Sequence, residues 1–214
     1  MTYEIDFEKV NRAIVWARQR HAGQTLKSGE DYFENHVIQV YTHVLDNVTV
    51  FKTENATDIV IAALLHDVLE DTSTTWQEIA CEFGDYVTEL VDRVTDEPAP
   101  NRKERKLTSY WKIRGDENAL VIKLCDRIVN VNLCIGSNRE FGKMYLKEAY
   151  VFKCAVWSPE HGARIGNLWN HLENQYNLLE HMIKMDSKRS SDVSECSACR
   201  RTRFLLRGTE ASGA

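Results

Sequence analysis

Histidine and carboxylate side chains interrupt an apolar run in the first third of the chain. His66-Asp67, followed by Glu70 and Asp71, comes directly after the apolar run 59–65. On a continuous helix these four positions share one face. Buried together, three carboxylates and an imidazole would repel one another and lose hydration, and a divalent cation would relieve both costs. The spacing therefore indicates a metal site, or else a helix that reaches the surface at residue 66 and leaves its acids solvated.

Asp126 is a second carboxylate in a stretch that is otherwise apolar and helical in pattern. A buried carboxylate needs a specific partner. That partner is either a metal ion, with Asp126 as a ligand from a distant helix, or a neighbouring cation, Lys123 or Arg127. His36 is a third candidate ligand, although a single histidine on a helix is more often structural.

The elements that must position these residues are predicted to be helices almost throughout, so the fold class is all-α. Only three prolines and ten glycines are present, which favours long helices. Thr75 and Glu78 fit a capping box, and Ser158-Pro159 is predicted to start the last helix. The predicted helices cover residues 6–21, 34–46, 57–71, 75–84, 85–95, 117–133, 140–157 and 158–184.

The chain divides into a helical domain, residues 1–185, and a polar segment, residues 186–214, that is expected to be a flexible tail. The tail holds Cys196 and Cys199 as a lone CxxC pair. A structural zinc site usually needs a second ligand pair, so none is predicted there.

Composition excludes several partners. With 27 basic and 32 acidic residues the net charge is −5, which argues against nucleic-acid binding. No apolar run reaches the ~18 residues of a membrane span, and the first residues lack the pattern of a signal peptide. The cysteines within apolar helical patterns are typical of small buried side chains. These features predict a cytoplasmic protein that binds neither nucleic acid nor membranes.

The order of the candidate ligands becomes informative once the flanking motifs are added. A single histidine is followed about thirty residues later by a His-Asp pair, and then by an aspartate in a later apolar helix. This order resembles the HD phosphohydrolase superfamily, and in particular the SpoT-type alarmone hydrolases with their small single-domain members. The resemblance rests on His21-Ala-Gly-Gln24, Lys27-Ser-Gly-Glu30, Tyr32 with His36, His66-Asp-Val-Leu-Glu-Asp-Thr72, and Lys123-Leu-Cys-Asp-Arg127 with Asn130.

The resemblance implies an HD-domain helical bundle with a C-terminal helical extension, and a specific chemistry. A divalent metal ion, usually Mn²⁺ in the family, would hold a water that attacks phosphorus, and the substrate would be guanosine tetra- or pentaphosphate, cleaved to release 3′-pyrophosphate. The implied metal ligands are His36, His66, Asp67 and Asp126. The implied acid–base residues are Glu70 and Asp71. The implied substrate-binding residues are Lys27, Ser28, Arg105, Lys106, Arg127 and Asn130.

Three positions depart from the family pattern near the expected substrate. Leu26 stands where the family usually has an arginine able to stack on guanine, Leu133 replaces a threonine, and Asp96 replaces a frequent lysine. Two alternatives therefore stay open: an HD phosphohydrolase acting on another nucleotide, such as a deoxynucleoside triphosphate or NADPH, or an inactive nucleotide-binding regulatory protein. The intact Glu70-Asp71 pair argues against the inactive protein.

Overall fold

The computed structural model describes residues 4–195, with side chains up to residue 189, and this part of the chain is all-α as predicted. An isolated antiparallel bridge joins Thr25 to Asp31 in the loop after the first helix. The helices are α1 (Phe7–Arg20), a π-helical turn (Phe33–Val37), α2 (Ile38–Val50), α3 (Ala56–Leu64), α4 (Val68–Asp71), α5 (Trp76–Phe83), α6 (Asp85–Val94), α7 (Arg102–Arg114), α8 (Glu117–Gly136), α9 (Arg139–Val156) and α10 (Ala163–Glu195).

Two apolar helices form the centre of the bundle. α3 is buried along most of its length and packs against α1, α2, α6 and α8. α8 is buried from Ala119 to Val129 and contacts α2, α6, α7, α9 and α10. Neighbouring helices surround both, so apolar residues occupy most of their length. The charged side chains in the middle of α8, Lys123, Asp126 and Arg127, are therefore held inside the protein.

Side-chain caps set the starts of several helices. Asp6 accepts hydrogen bonds from the amides of Glu8 and Lys9 at the start of α1, and Thr75 with Glu78 forms the predicted capping box of α5. Gly84, with φ of 93°, makes the turn between α5 and α6, a backbone conformation that favours glycine. These caps fix where each helix begins along the chain.

The segment 57–71, predicted as one helix, is two helices in the structure. Residues 65–67 separate α3 from α4, and the backbone there bends through tighter i to i+3 hydrogen bonds. Consecutive side chains on a regular helix point about 100° apart. The break lets His66 Nε2 and Asp67 Oδ2 approach to 2.9 Å. The prediction that these residues share one helical face was therefore wrong, although they do converge.

The C-terminal part also differs from prediction. Residues 157–162 are not helical, and α10 begins at Ala163 rather than at Ser158-Pro159. The helix then continues to Glu195, past residue 184 where the predicted helix ends. An ion pair of 2.7 Å between Arg139 and Asp186 ties this continuation to α9. The Cys196–Cys199 pair lies outside the described residues.

No helix in residues 4–195 is both long and apolar enough to span a membrane.

Candidate active site

The four predicted metal ligands converge on one point. His36 comes from the π-helical turn, His66 and Asp67 from the break between α3 and α4, and Asp126 from the middle of α8. His36 Nε2 lies 3.1 Å from His66 Nε2 and 3.3 Å from Asp67 Oδ2. Asp126 Oδ1 lies 3.5 Å from His36 Nε2 and 3.9 Å from His66 Nε2. Segments distant in sequence therefore direct nitrogen and oxygen donors at a common centre.

The hydrogen bonds of this cluster fit a cation. His66 Nδ1 donates to the carbonyl of Ala63 at 2.8 Å, so in the neutral ring Nε2 carries the lone pair that faces the cluster. His36 Nδ1 is buried and has no hydrogen-bond partner among the described residues. The ligand atoms of His36, His66 and Asp67 lie within 4.8 Å of one another and could hold a metal ion. Mixed imidazole and carboxylate ligands suit a divalent transition metal.

Without a cation, the charges of the cluster favour a bound proton. Burial lowers the pKa of His66, but the negative charges of Asp67 and Asp126 outweigh burial and raise it to about 9. Burial would raise the pKa of Asp67, yet the neighbouring His66 holds that pKa well below its usual range. The site therefore attracts positive charge, whether as a proton or as a metal ion.

Three further side chains hold the carboxylate ligands in place. The Tyr32 hydroxyl donates to Asp67 Oδ2, and Asn130 Nδ2 donates to Asp126 Oδ1 at 2.5 Å. Lys123 Nζ lies 3.1 Å from Asp126 Oδ2 and also donates to the Val94 carbonyl. The ion pair offered as an alternative explanation for Asp126 thus exists alongside the ligand cluster. Outer contacts of this kind orient metal ligands in proteins.

Glu70 and Asp71 lie on α4 beside the cluster, where their carboxyl groups hold protons more tightly than usual. Burial and then the charge of Asp67 raise the pKa of Asp71 to about 6. Burial and then the charge of Asp96 raise the pKa of Glu70. A carboxyl group with a pKa near the working pH can both donate and accept a proton.

Hydrogen bonds from the segment directly after α1 hold α4, the short helix that carries these acids. His21 Nδ1 and Gln24 Oε1 are 2.8 Å apart, and Gln24 Nε2 donates to the Asp71 carbonyl at the same distance. Because the Gln24 amide group must donate to a carbonyl, its oxygen faces His21 and accepts from that ring. The His21–Gln24 pair therefore positions α4 from outside the ligand cluster.

The cluster opens into a cavity of about 180 Å³, the metal cavity, with a cationic wall. Lys106 and Arg102 from α7 line it, together with Lys123 and Arg127 from α8. Burial and then the charge of Lys123 lower the pKa of Lys106, while Asp96 binds its Nζ at 2.6 Å. A cavity with acids on one side and several cations on the other can bind a phosphorylated ligand.

A second cavity, of about 290 Å³ and more apolar, adjoins the first. Leu26 and Leu133, two of the three positions noted above as departures from the family pattern, both line it. Tyr32 and Asn130 line both cavities and form the wall between them. The second cavity has the size and character to hold a planar ring such as a nucleobase.

The predicted substrate-binding residues are divided between these two cavities. Lys27 and Ser28 line the second cavity, and Lys27 Nζ lies 3.9 Å from the centroid of the Phe141 ring. Lys106 and Arg127 line the metal cavity, and Asn130 lines both. Arg105 lines neither of the two, and its guanidinium lies 3.9 Å from Asp96 Oδ2.

Sequence reasoning gave two residues of the site no role of their own. Tyr32 precedes His36 by four positions, so helical spacing could have indicated it, whereas Lys123 was already predicted as a possible partner of Asp126. Arg102 belongs to the same basic segment as the predicted Arg105 and lines the metal cavity in its place. Spacing within α7 alone does not say which of its basic residues faces the site.

Comparisons with known proteins place this fold and site in a family. The family model described as HD domain matches residues 13–147, more than half of the chain. The chain belongs to the HD domain family.

Its relatives are named as alarmone enzymes. The guanosine-3′,5′-bis(diphosphate) 3′-pyrophosphohydrolase of Aquifex aeolicus is 33% identical over 78% of this chain and 23% of its own length. The bifunctional (p)ppGpp synthase/hydrolase SpoT of Escherichia coli is 28% identical over 85% of this chain and 27% of its own length. The chain thus spans about a quarter of these curated relatives.

A solved structure extends the likeness. It is described as a metazoan ortholog of SpoT that hydrolyses ppGpp, and it matches with a TM-score of 0.58 and 25% identity. The match covers 87% of this chain and 98% of the other. The likeness therefore includes nearly the whole of a protein of similar architecture.

Proposed function

We propose that this protein is a metal-dependent phosphohydrolase that removes the 3′-pyrophosphate from guanosine tetra- or pentaphosphate. The observation that carries the proposal is the convergence of His36, His66, Asp67 and Asp126 beside a cavity with a cationic wall. The names of the Aquifex and Escherichia relatives and of the metazoan structure support this substrate.

The resident cofactor is proposed to be one divalent ion, Mn²⁺, held by those four side chains. A divalent cation supplies Lewis-acid activation of water and of a phosphoryl oxygen. Imidazole and carboxylate ligands are compatible with Mn²⁺. Tyr32 and Asn130 keep the two carboxylates aimed at the ion by hydrogen bonding to them.

The other charged residues of the site are proposed to bind the substrate or to transfer protons during the reaction. Lys106 and Arg102 attract the pyrophosphate group, since they line the cavity beside the ligands. Glu70 or Asp71 takes a proton from the attacking water and returns one to the 3′ oxygen as its bond to phosphorus breaks. Their raised pKa values suit this exchange near neutral pH.

The base of the nucleotide is proposed to lie in the second cavity. Leu26 and Leu133 offer it apolar packing, and the exposed ammonium of Lys27 lies at the rim beside Phe141. Tyr32 and Asn130 then stand between the base and the phosphates. In this arrangement Lys27 and Ser28 contact the nucleoside side of the substrate.

A product analysis tests the proposal directly. Purified protein loaded with Mn²⁺ is incubated with guanosine tetraphosphate, NADPH and the common deoxynucleoside triphosphates, and the products are separated by anion exchange. The expected products are guanosine diphosphate and pyrophosphate in equal amounts. Preferential cleavage of NADPH or of a deoxynucleoside triphosphate would identify a different nucleotide as substrate, and no cleavage of any would indicate an inactive binding protein.

His66→Ala serves as the control for the role of the ion. The variant removes one ligand and leaves buried carboxylates uncompensated, so bound manganese and hydrolysis are expected to disappear together. Stoichiometric manganese in His66→Ala, measured by elemental analysis, would contradict the four-ligand assignment.

A further inference from the structure

Arg127 is a buried arginine whose surroundings come from three other helices. It follows the predicted ligand Asp126 on α8, lines the metal cavity, and is 5% exposed. Its Nε donates to the Tyr176 hydroxyl, and its Nη1 lies 3.5 Å from the Tyr110 hydroxyl. Its Nη2 donates to the Tyr145 carbonyl at 3.3 Å. Every nitrogen of the guanidinium therefore has an acceptor.

Aromatic rings and one carboxylate also surround the Arg127 guanidinium, and together with its hydrogen-bond acceptors they form an enclosure around this group. The Arg127 guanidinium carbon lies 4.5 Å from the centroid of the Phe152 ring, and Nη2 lies 3.6 Å from Glu148 Oε2. The same Glu148 carboxylate binds Arg102, with Nε to Oε1 at 2.7 Å. An arginine side chain stays protonated in proteins, so the positive charge is kept. The plane of the guanidinium is fixed and its charge is permanent.

The hydroxyl of Tyr176 is the contact to α10 in this enclosure. α10 lies beyond residue 147, where the match to the HD domain family ends. Tyr176 is 9% exposed, and a Tyr-to-Phe change there would keep the ring and its packing while removing the acceptor of Arg127 Nε. The role of the hydroxyl can therefore be separated from that of the ring.

We propose that Tyr176 is a positioning residue, which acts through Arg127 to hold a fixed positive charge in the wall of the metal cavity for the phosphates of the substrate. The proposal rests on the proposed function in taking a phosphate group as the occupant of that cavity. A preorganised charge at such a site binds phosphate without the cost of ordering a long side chain first. α10 would then be part of the active site rather than an appendage to the matched domain.

The test measures binding of inorganic pyrophosphate to the manganese-loaded full chain by calorimetry, alongside KM and kcat for guanosine tetraphosphate. Tyr176→Phe is expected to weaken pyrophosphate binding and raise KM by about fivefold to tenfold, because the hydrogen bond that orients the charged Arg127 side chain is lost. Bound manganese is expected to stay stoichiometric, and kcat to change by less than about twofold. Tyr150→Phe, the same deletion at a tyrosine that is 79% exposed on α9, is the matched control and should bind as the native protein does.

A double-mutant cycle with Arg127→Met separates positioning from a merely structural role. If Tyr176 acts through Arg127, then adding Tyr176→Phe to Arg127→Met changes pyrophosphate affinity no further. Equal effects of Tyr176→Phe in both backgrounds, or a lower melting temperature with unchanged pyrophosphate affinity, would overturn the proposal. A native protein that binds pyrophosphate but leaves guanosine tetraphosphate intact would contradict the proposed substrate alone. A native protein that binds no pyrophosphate would overturn both proposals.

Discussion

The predicted metal ligands differ in how their second contacts are arranged. His66 is fixed by the Ala63 carbonyl, Asp67 by Tyr32, and Asp126 by Asn130 and Lys123. Among the described residues His36 Nδ1 has no hydrogen-bond partner, and the His36 ring is oriented by its packing against the rings of Tyr32 and His66. These contacts hold three of the four ligands before any cation arrives, which lowers the entropy lost on binding.

Cation binding should release a proton. With a pKa of about 9, His66 is protonated at neutral pH when no cation is bound, and a metal ion has to displace that proton. Affinity for Mn²⁺ is therefore expected to rise by about tenfold per pH unit below pH 9 and to level off above it. Calorimetry of Mn²⁺ binding in two buffers of different ionisation enthalpy measures the number of protons released. Binding at pH 7 without proton release would contradict the role of His66 as a ligand that is protonated in the metal-free protein.

Glu70→Gln should separate catalysis from metal binding. The variant keeps the shape of the side chain and loses its capacity to exchange a proton, which is worth about 10²–10⁴-fold in turnover. Bound manganese should be unchanged, because Glu70 is not among the predicted ligands. Glu82→Gln, at an exposed position on α5, is the control. An unchanged kcat in Glu70→Gln would remove this residue from the mechanism.

Leu26→Arg should strengthen nucleotide binding. Leu26 lines the second cavity, where a guanidinium could lie flat on a purine. Such stacking is worth about 0.5–2 kcal/mol, so KM for guanosine tetraphosphate should fall by about two- to thirtyfold with little change in kcat. Leu26→Met, which conserves volume, should leave KM unchanged. Weaker binding by Leu26→Arg would mean that position 26 does not face the base.

At the scale of whole helices, Gly142 lets α9 pack closely against α8 and α10. A Cβ at Gly142 would lie 2.9 Å from the Leu179 methyl carbons and 3.1 Å from Cys134 Cβ. Leu179 is fully buried on α10, so its methyl groups cannot easily move aside. This contact holds the helix that carries Tyr145 and Glu148 against the bundle.

Alanine at two glycines should therefore have opposite effects on stability. Gly142→Ala is expected to lower the free energy of unfolding by about 1–3 kcal/mol through overpacking, despite the better helix propensity of alanine. Gly166→Ala on α10, where no neighbouring atom of the described residues lies within 4 Å of the added Cβ, should raise the free energy of unfolding by about 0.5–1 kcal/mol. Chemical denaturation measures both, and stabilisation by Gly142→Ala would show that α9 is not tightly held.

Sequence periodicity predicted most helices well and their irregular points badly. Apolar spacing located α1 and α6 closely, because each buries one regular stripe, and the capping box located α5. It missed the break at 65–67 and the π-helical turn at 33–37, where the chain departs from regular geometry to aim ligands inward. It also placed the start of α10 too early, since Ser158-Pro159 has the composition of a helix start without forming one.

On the scale of the whole molecule, α10 contributes buried side chains to the same hydrophobic core as the matched HD region. Its side chains Leu168, Trp169, Leu172 and Leu179 are buried, and α10 packs along α8 and α9. Phe152 and Trp169 lie with ring centroids 5.4 Å apart. The matched domain and the C-terminal helices therefore form one hydrophobic core.

Leu172→Ala should therefore destabilise the whole protein, although residue 172 lies beyond the matched region. Leu172 is 0% exposed, and a buried leucine truncated to alanine costs about 2–5 kcal/mol. The melting temperature should fall by about 5–15 °C in a single transition. Leu178→Ala, at a neighbour that is 45% exposed, is the control and should change it little. Two separate transitions would indicate that α10 folds apart from the domain.

The identities of the predicted ligands were accessible from sequence, while the division of the site into two cavities was not. Residue type and order pointed to His36, His66, Asp67 and Asp126. Distances between helices depend on packing across the whole bundle, so sequence could not show that Lys27 and Lys106 line different cavities. Nor could it show that Arg102, rather than Arg105, lines the metal cavity.

The wall shared by the two cavities has a thermodynamic consequence. Tyr32 and Asn130 line both cavities. Tyr32 also donates a hydrogen bond to Asp67, and Asn130 donates one to Asp126. A ligand that shifts either side chain on entering the second cavity changes the hold on Asp67 or Asp126, and with it the free energy of cation binding. Because the free energies around a closed binding cycle sum to zero, the cation must change the affinity of the second cavity by the same factor. With the base in the second cavity, as proposed, selectivity for the base and affinity for the metal would be linked, and a substitution in this wall that changes one would also change the other.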